Sequence, residues 1–454
     1  MEPAVGTGAG LVFLERLRAY AGAQAFVHGD EPLSYRTLGS MVDEWVAYLE
    51  SESIGPGDVV MLEGVCSPEV AAALLALVIR RAIVVPITPS PVEGVGTYLD
   101  VAEVEVVISV DRHGDRVSRR TGRVATNGLH ESLRATGRPG LVLFSSGTSG
   151  RTKATVLDFA RLLIRYHTVT GRGRRTIFFL NLDHIGGINT LLHTLSSGGT
   201  VITVPDRSPD TVLASIVRHG AEILPTTPTF LNMLLAVGAH RRFRTDTLEL
   251  VTYGTEPMPD RTLELLRTAL PGVRLKQTYG LSELGILPTK SKADGSGWMK
   301  LGTAGFAHKI VDGVLWIRSD TAMLGYLNAG AEFDEEGYFN THDVVETDGE
   351  YLRVLGRRSE IINVGGEKVY PAEVENVILG IPNIADVTVK GRPSPVTGMV
   401  VTAIVHLQHD EDDRSVRRRV REYCRGRLAP FKVPALVTVS REALHSARFK
   451  KARG

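Results

Sequence analysis

The chain has 454 residues, with 52 Lys and Arg against 51 Asp and Glu, a net charge of +1. That balance excludes a polybasic nucleic-acid coat and an acidic tail protein as default readings, and 43% hydrophobic with 23% charged residues is the composition of an ordinary soluble globular enzyme. Two cysteines, Cys66 and Cys424, are too few for a disulfide framework or a four-cysteine zinc site and fit a reducing compartment.

At ~150 residues per domain, the length predicts two or three units. Met1–Gly10 has no basic stretch followed by an apolar one, so no signal peptide is read there. The longest apolar run, Val70–Ile79, stops at Arg80 and Arg81, too short for a bilayer, and reads as a buried helix. The expected location is the cytoplasm, without membrane or nucleic-acid partners. Buried strands are predicted at Val59–Leu62, Ile83–Ile87, Val104–Val110, Leu141–Phe144, Thr176–Leu180, Thr200–Val204 and Leu248–Thr252. Helix-period segments such as Val212–Arg218 and Arg261–Leu270 lie between several of them, the pattern of parallel sheets flanked by helices. From about Met299 short strands (Gly313–Ile317, Tyr351–Val354) alternate with Asp312-Gly313 and Asp348-Gly349 turns, predicting a small β-rich subdomain. Beyond Gly356–Glu360 the order is a strand-poor loop, helix Ala372–Ile378, strands Ala385–Lys390 and Val400–Leu407, helix Arg414–Leu428 and strand Ala435–Val439. The fold class is α/β: residues 1–358 form a large N-terminal domain, and residues 359–454 a small α+β C-terminal domain. The basic run Arg414–Arg427 carries Val416, Val420 and Tyr423 at helical spacing and reads as a solvated amphipathic helix.

The first chemical motif follows Leu141–Phe144: Ser145, Ser146, Gly147, Thr148, Ser149, Gly150, Arg151, Thr152 and Lys153. Glycines let the backbone turn N–H groups inward, and hydroxyls and a lysine add donors, a nest suited to a polyphosphate. The Gly-Lys-Ser/Thr ending of a Walker loop is missing. The segment resembles the phosphate loop of the adenylate-forming superfamily, which comprises acyl-CoA synthetases, non-ribosomal peptide adenylation domains and luciferases. Thr152 and Ala154 stand where that family usually has proline and glycine.

The resemblance extends in order along nearly the whole chain, from Leu33–Leu38, Gly55–Val60 and Ala82–Pro86 to the C-terminus. Asn181–Gly187 resembles the segment lining the acid pocket, where the His184 ring would shield the acid and set its carboxylate's angle; the secondary reading of His184 is a helix N-terminal cap. Gly254, Thr255 and Glu256 resemble the strand end that holds adenine by main-chain contacts, with Gly254 also in the acid pocket. Gln277, Thr278, Tyr279, Gly280, Leu281, Ser282 and Glu283 match the family's aromatic–Gly–x–Ser/Thr–Glu signature. The resemblance implies that Tyr279 stacks on adenine and Ser282 donates to the α-phosphate. It also implies that Glu283, with Thr148, holds Mg²⁺. Asp343 would accept from the ribose hydroxyls, with His342 in place of the usual glycine, and Arg357 would contact the ribose.

Gly356–Glu375 is the strongest single match. It implies a mobile small domain with its hinge at Ser359, and Gly366 on the loop lining the thiol tunnel once that domain has turned. Asn363 stands where many members have lysine. The C-terminal motif is degenerate: the Lys-x-x-Arg spacing puts the catalytic lysine at Lys450, with Lys451 as competitor and Phe449 replacing a glycine.

The implied enzyme is an AMP-forming acid–thiol ligase using ATP and Mg²⁺. It would make an acyl-adenylate and pass the acyl group to coenzyme A or to a carrier-protein phosphopantetheine arm. Two alternatives stay open: an ATP-dependent diazotase that activates nitrite for an aryl amine, and a regulatory nucleotide-binding module that has lost catalysis.

Overall fold

The computed structural model describes residues 8–89, 95–146, 152–293, 296–302, 304–442 and 444. Helices begin where the local chemistry dictates. The helix Pro68–Ile79 is buried nearly all round; it starts after Ser67, whose hydroxyl accepts the Val70 N–H at 3.2 Å, with proline in its first turn. Its length and burial match the expectation for Val70–Ile79, and no helix among the described residues is long and apolar enough to cross a membrane.

Two seven-stranded sheets dominate the large domain. One runs Arg274–Gln277, Leu250–Tyr253, Ile223–Thr226, Arg175–Phe178, Thr200–Thr203, Gln24–His28, Glu31–Ser34, parallel except at its last pair. The other runs Gly325–Tyr326, Thr152–Asp158, Gly140–Ser146, Ile83–Ile87, Val59–Glu63, Val106–Val110, Arg116–Arg120, parallel at its centre. Helices cover these β-branched strands, as buried parallel sheets require. A third, antiparallel sheet of six strands spans Thr289–Arg357. Within it Asp312 and Gly313 turn the chain with φ of 51° and 76°, the two-residue hairpin expected of Asp-Gly.

The small domain has its own core, in which Val374, Ile378, Val387, Val389, Val405, Val416 and Val420 pack together. The helix Asp413–Arg425 buries Val416, Val420 and Cys424 and exposes Arg414, Arg417, Arg418 and Arg425, as the solvated amphipathic reading expects. The strand-poor loop expected after Glu360 is instead a hairpin, Ile362–Val364 with Glu367–Val369. Three-residue strands are too short to show a period, and the turn depends on Gly365 and Gly366 at φ of 61° and 92°. Other boundaries shift by one to four residues: Val104–Val110 begins at Val106, Thr176–Leu180 becomes Arg175–Phe178, Ala385–Lys390 extends to Ile384–Ser394, and the last long helix stops at Arg425.

Candidate active site

Asp343 lies on the strand Phe339–Asp348, in register with Arg357 on the strand Tyr351–Arg357. His342 takes φ of 58°, stabilised by its N–H donating to Asn340 Oδ1 at 2.9 Å, and the Asp343 N–H donates to Thr341 Oγ1 at 3.1 Å. This turn delivers the Asp343 carboxylate to Tyr279, whose hydroxyl donates to Oδ2 at 2.5 Å, while Arg357 Nε lies 3.5 Å from Oδ1. Tyr279 and Asp343 are 8% and 6% exposed, whereas the Arg357 side chain is 41% exposed, so the network is buried at its tyrosine–aspartate end and open at its arginine. Burial raises the Asp343 carboxyl above its ordinary pKa against the pull of the guanidinium. Burial, then the Asp343 charge, pushes the Tyr279 phenol far up. Burial works against the Arg357 guanidinium, yet Asp343 and Glu283 hold its pKa above the usual value.

Beside this network opens a cleft of about 330 Å³ lined by Ser145, Lys153, Leu281, Glu283, Tyr326, Glu332, Phe339, Thr341, His342, Arg357, Arg358 and Ser359. Ser145 and Lys153 face each other across the antiparallel strands Gly140–Ser146 and Thr152–Asp158. The loop they bracket, including Gly147, Thr148, Ser149 and Gly150, lies outside the described residues, as does Lys450. Tyr326 sits on the two-residue strand that pairs with Thr155 and Val156. Its hydroxyl donates to Glu283 Oε1 at 2.7 Å, and Lys153 Nζ stands 4.8 Å over its ring. At the rim, His342 Nε2 is 3.0 Å from Glu332 Oε2.

Other candidates lie around this cleft rather than in its lining. Gly254 and Thr278 meet closely at adjacent strand ends; a Cβ on Gly254 would stand 2.6 Å from Thr278 Oγ1, so the position admits only glycine. Thr255 is held at φ of 76°, a strained backbone for a β-branched residue. The Glu256 carboxylate is engaged by Thr229, accepting its backbone N–H at 2.8 Å and its hydroxyl. Gln277 is buried, and its Oε1 makes no hydrogen bond among the described residues. Gly280 packs against Gly285 and Ile286, and Ser282 stands between two cleft-lining residues.

His184 caps the helix Ile185–Ser196: its Nδ1 accepts the Gly186 N–H at 3.0 Å, which puts the neutral ring's proton on Nε2. The capping role read from sequence is therefore present. The tight turn before it needs Gly187, since a Cβ there would collide with the Asn181 carbonyl. Gly366 is at an exposed hairpin tip, away from the cleft.

The family model described as "AMP-binding enzyme" matches residues 13–327, more than half of the chain. The chain belongs to this family of adenylate-forming enzymes. The model described as "AMP-binding enzyme C-terminal domain" matches residues 373–450, so the two-domain α/β architecture is that of the superfamily. The adenylate-forming protein is a ligase of the acyl-CoA synthetase type. It is 28% identical over 479 residues to the indoleacetate–CoA ligase of Aromatoleum aromaticum, covering 91% of this chain and 90% of that one. It is 32% identical over 326 residues to the 2-succinylbenzoate–CoA ligase of Bacillus licheniformis, covering 64% of each. The anthranilate CoA ligase AuaEII, solved in complex with anthranoyl-AMP, superposes with a TM-score of 0.83 at 20% identity over 98% of this chain and 95% of that one, a likeness of fold.

Sequence reasoning missed Tyr326, Glu332 and Arg358 as cleft residues. Tyr326 reaches Glu283 only because its strand pairs with Thr152–Asp158, a long-range pairing that no local pattern announces. Arg358 carried a signal, since it directly precedes the proposed hinge. Among the described residues no group of three or more His, Cys, Asp or Glu side chains is arranged to hold a metal. The cleft does offer the Glu283 carboxylate, and one or two carboxylates, with phosphates and water in the other positions, is a donor set that fits magnesium.

Proposed function

We propose that this enzyme activates a small carboxylic acid with ATP and transfers the acyl group to coenzyme A. One observation carries the reading. A buried tyrosine–aspartate pair backed by the partly exposed Arg357, suited to a nucleoside sugar and base, adjoins a half-exposed Lys153, Glu283 and Ser145 suited to its phosphates, at the seam where the small domain begins. The relatives named for indoleacetate, 2-succinylbenzoate and anthranilate support an acid bearing a ring, with coenzyme A as acceptor.

In this reading a carboxylate oxygen of the acid attacks the α-phosphorus of ATP. The bond to the β-phosphate breaks and pyrophosphate leaves. The thiolate of coenzyme A then attacks the acyl carbonyl carbon and AMP departs. Two anions meet in the first step, so the chain must supply positive charge in a preorganised site. Asp343 accepts from the ribose hydroxyls, Arg357 holds Asp343 and the sugar, and Tyr279 stacks on adenine beside Gly254, Thr255, Glu256, Gln277, Thr278 and Gly280. Ser145–Gly150 and Lys153 hold the β- and γ-phosphates, and Ser282 donates to the α-phosphate. Glu283, oriented by Tyr326, and Thr148 would hold Mg²⁺, which neutralises charge on the phosphates. His184 and Gly254 border the acid, and the capped imidazole sets the carboxylate's angle. Lys450 brings the cation that stabilises the pentavalent phosphorus.

The domain boundary follows from the same reading: residues 1–358 bind, residues 359–454 deliver Lys450, and Ser359 is the hinge between two poses. In the second pose Gly366 approaches the thiol.

The test is pyrophosphate release from ATP with indole-3-acetate, anthranilate, benzoate and 2-succinylbenzoate, each with and without coenzyme A. Acid-dependent release, with thioester formed only when coenzyme A is present, is expected. Turnover only with a carrier protein would change the acceptor. Turnover only with nitrite and an aryl amine, or ATP binding without any turnover, would overturn the reading.

A further inference from the structure

Two asparagines join the small domain to the large one, and each does so at a place where the backbone lacks a partner of its own. The first is Asn232, on the helix Pro228–Ala236. Thr262, 1% exposed, points its hydroxyl at Asn232 Oδ1 at 3.5 Å. That leaves the Asn232 amide nitrogen to the small domain, where it donates to the Ala385 carbonyl at 2.7 Å. Ala385 lies on the long strand Ile384–Ser394, where the register with Gly398–Leu407 slips: Ile384 pairs with Leu407 and Asp386 with His406, and Ala385 is the extra residue. A bulge of this kind takes one residue out of the ladder, and here its carbonyl turns to the other domain.

The second is Asn376, on the helix Pro371–Leu379. The helix Asp260–Ala269 in the large domain begins after Pro259, which makes no side-chain cap. Its first-turn N–H groups need acceptors. Asn376 supplies one from across the boundary, accepting the Arg261 N–H at 3.3 Å while its amide nitrogen faces Asp260 Oδ2 at 3.3 Å. The cap that serine or aspartate usually provides locally comes here from the other domain.

The pose that these contacts hold can be identified. Asn363 and Gly365–Lys368 are exposed and do not line the cleft, so the hairpin bearing Gly366 is turned to solvent. Turning that hairpin inward moves Ala385 and Asn376 with the same compact core and breaks both contacts.

We propose that Asn232 and Asn376 form a two-point latch that retains the small domain in its pre-transfer pose, and that they are positioning residues setting the partition between adenylation and acyl transfer. The proposal rests on the reading that the small domain turns about Ser359.

The test uses the full chain. Asn232→Asp keeps the size of the side chain and the Thr262 contact but replaces the donor to Ala385 with an acceptor; Asn376→Ala removes the cap. In the double variant without ligand, trypsin cleavage after the exposed Arg358 is expected to accelerate about fivefold, the size of one lost cap. With indole-3-acetate or anthranilate as acid, ATP–pyrophosphate exchange should slow relative to thioester formation with coenzyme A, and each single variant should shift the ratio part-way. A merely structural role would lower both half-reactions together and leave the ratio fixed, which overturns the latch. Unchanged cleavage after Arg358 overturns it whatever acid is used. Should Asn376→Ala fail to fold, Asn232→Asp alone carries the test, because it changes no volume. If the unmodified enzyme shows no exchange with any acid, the functional reading falls while the cleavage arm still decides the latch.

Discussion

The two sides of the cleft are built on different physical terms. On one side Tyr279 and Asp343 are almost wholly buried, hydrogen-bonded at 2.5 Å and backed by Arg357. On the other, Lys153 and Glu283 are half-buried and lean on a single tyrosine, Tyr326. A buried network must be complete before the ligand arrives, because each unpaired polar group in it carries a desolvation cost. A half-exposed set of long side chains can adjust, and gains its strength only when water is excluded and further charge arrives. The contrast teaches that one side is prebuilt and the other is left to adjust; in the proposed function the first seats the nucleotide and the second waits for the small domain.

Four substitutions break or sharpen that contrast. The largest effect is expected at Lys450, the charge assigned to the waiting side. Lys450→Ala should slow ATP–pyrophosphate exchange by about 10²–10³-fold, with calorimetric ATP affinity near that of the unmodified enzyme. Loss of that size in Lys451→Ala alone would shift the alignment by one residue.

Next is Asp343→Ala, which removes the carboxylate acceptor of the buried Tyr279 hydroxyl and leaves it the weaker Thr341 contact. It should cost about 1–3 kcal/mol of stability by denaturant melting and weaken ATP binding as well; weaker binding without destabilisation would mean that the network is not prebuilt. The same carboxyl has a pH signature. Its folded pKa is raised by burial, so its stabilising contribution is complete below the unfolded value of about 4 and is lost as pH rises through the folded value. Melting temperature followed from about pH 4 upward should therefore fall more steeply for the unmodified chain than for Asp343→Asn.

Tyr326→Phe releases Glu283 without touching the buried side. Loss of one hydrogen bond to a carboxylate, worth about 1.5–3 kcal/mol at most and less at a half-exposed site, should raise the Mg²⁺ concentration needed for half-maximal exchange. An unchanged Mg²⁺ titration would remove Tyr326 from the site. The smallest effect is expected for His342→Gly: relief of the positive φ offsets the greater freedom of the unfolded chain and the lost Glu332 contact, so stability should change by less than about 1 kcal/mol. A large loss of ATP affinity would instead make the imidazole part of the binding surface.

Legibility in the sequence divides along the chain's own distances. Tyr279 with Glu283, Asp343 and Arg357 were readable because each sits in a short window of distinctive residue types, and the structure brings those windows to one place. The helices read at Val70–Ile79 and Val212–Arg218 are present too, but each begins two or three residues earlier, at Pro68 and Pro209, after a serine that caps it. Glu256 stood in a similar window, yet its carboxylate turns to Thr229, a partner that its own neighbours do not announce. His184 could be read two ways, and its hydrogen bond to Gly186 establishes the cap.

Residue order alone determined the family, the alternation of strands and helices, and the candidate nucleotide residues, because backbone propensity and short-range glycine and hydroxyl patterns are properties of neighbouring residues. Tertiary structure decided that Tyr326 steadies Glu283, that Asn376 caps a helix of the other domain and that a bulge at Ala385 exposes a carbonyl to Asn232. Those contacts join residues 43 to 153 positions apart. They depend on strand register and domain packing, which local sequence does not encode.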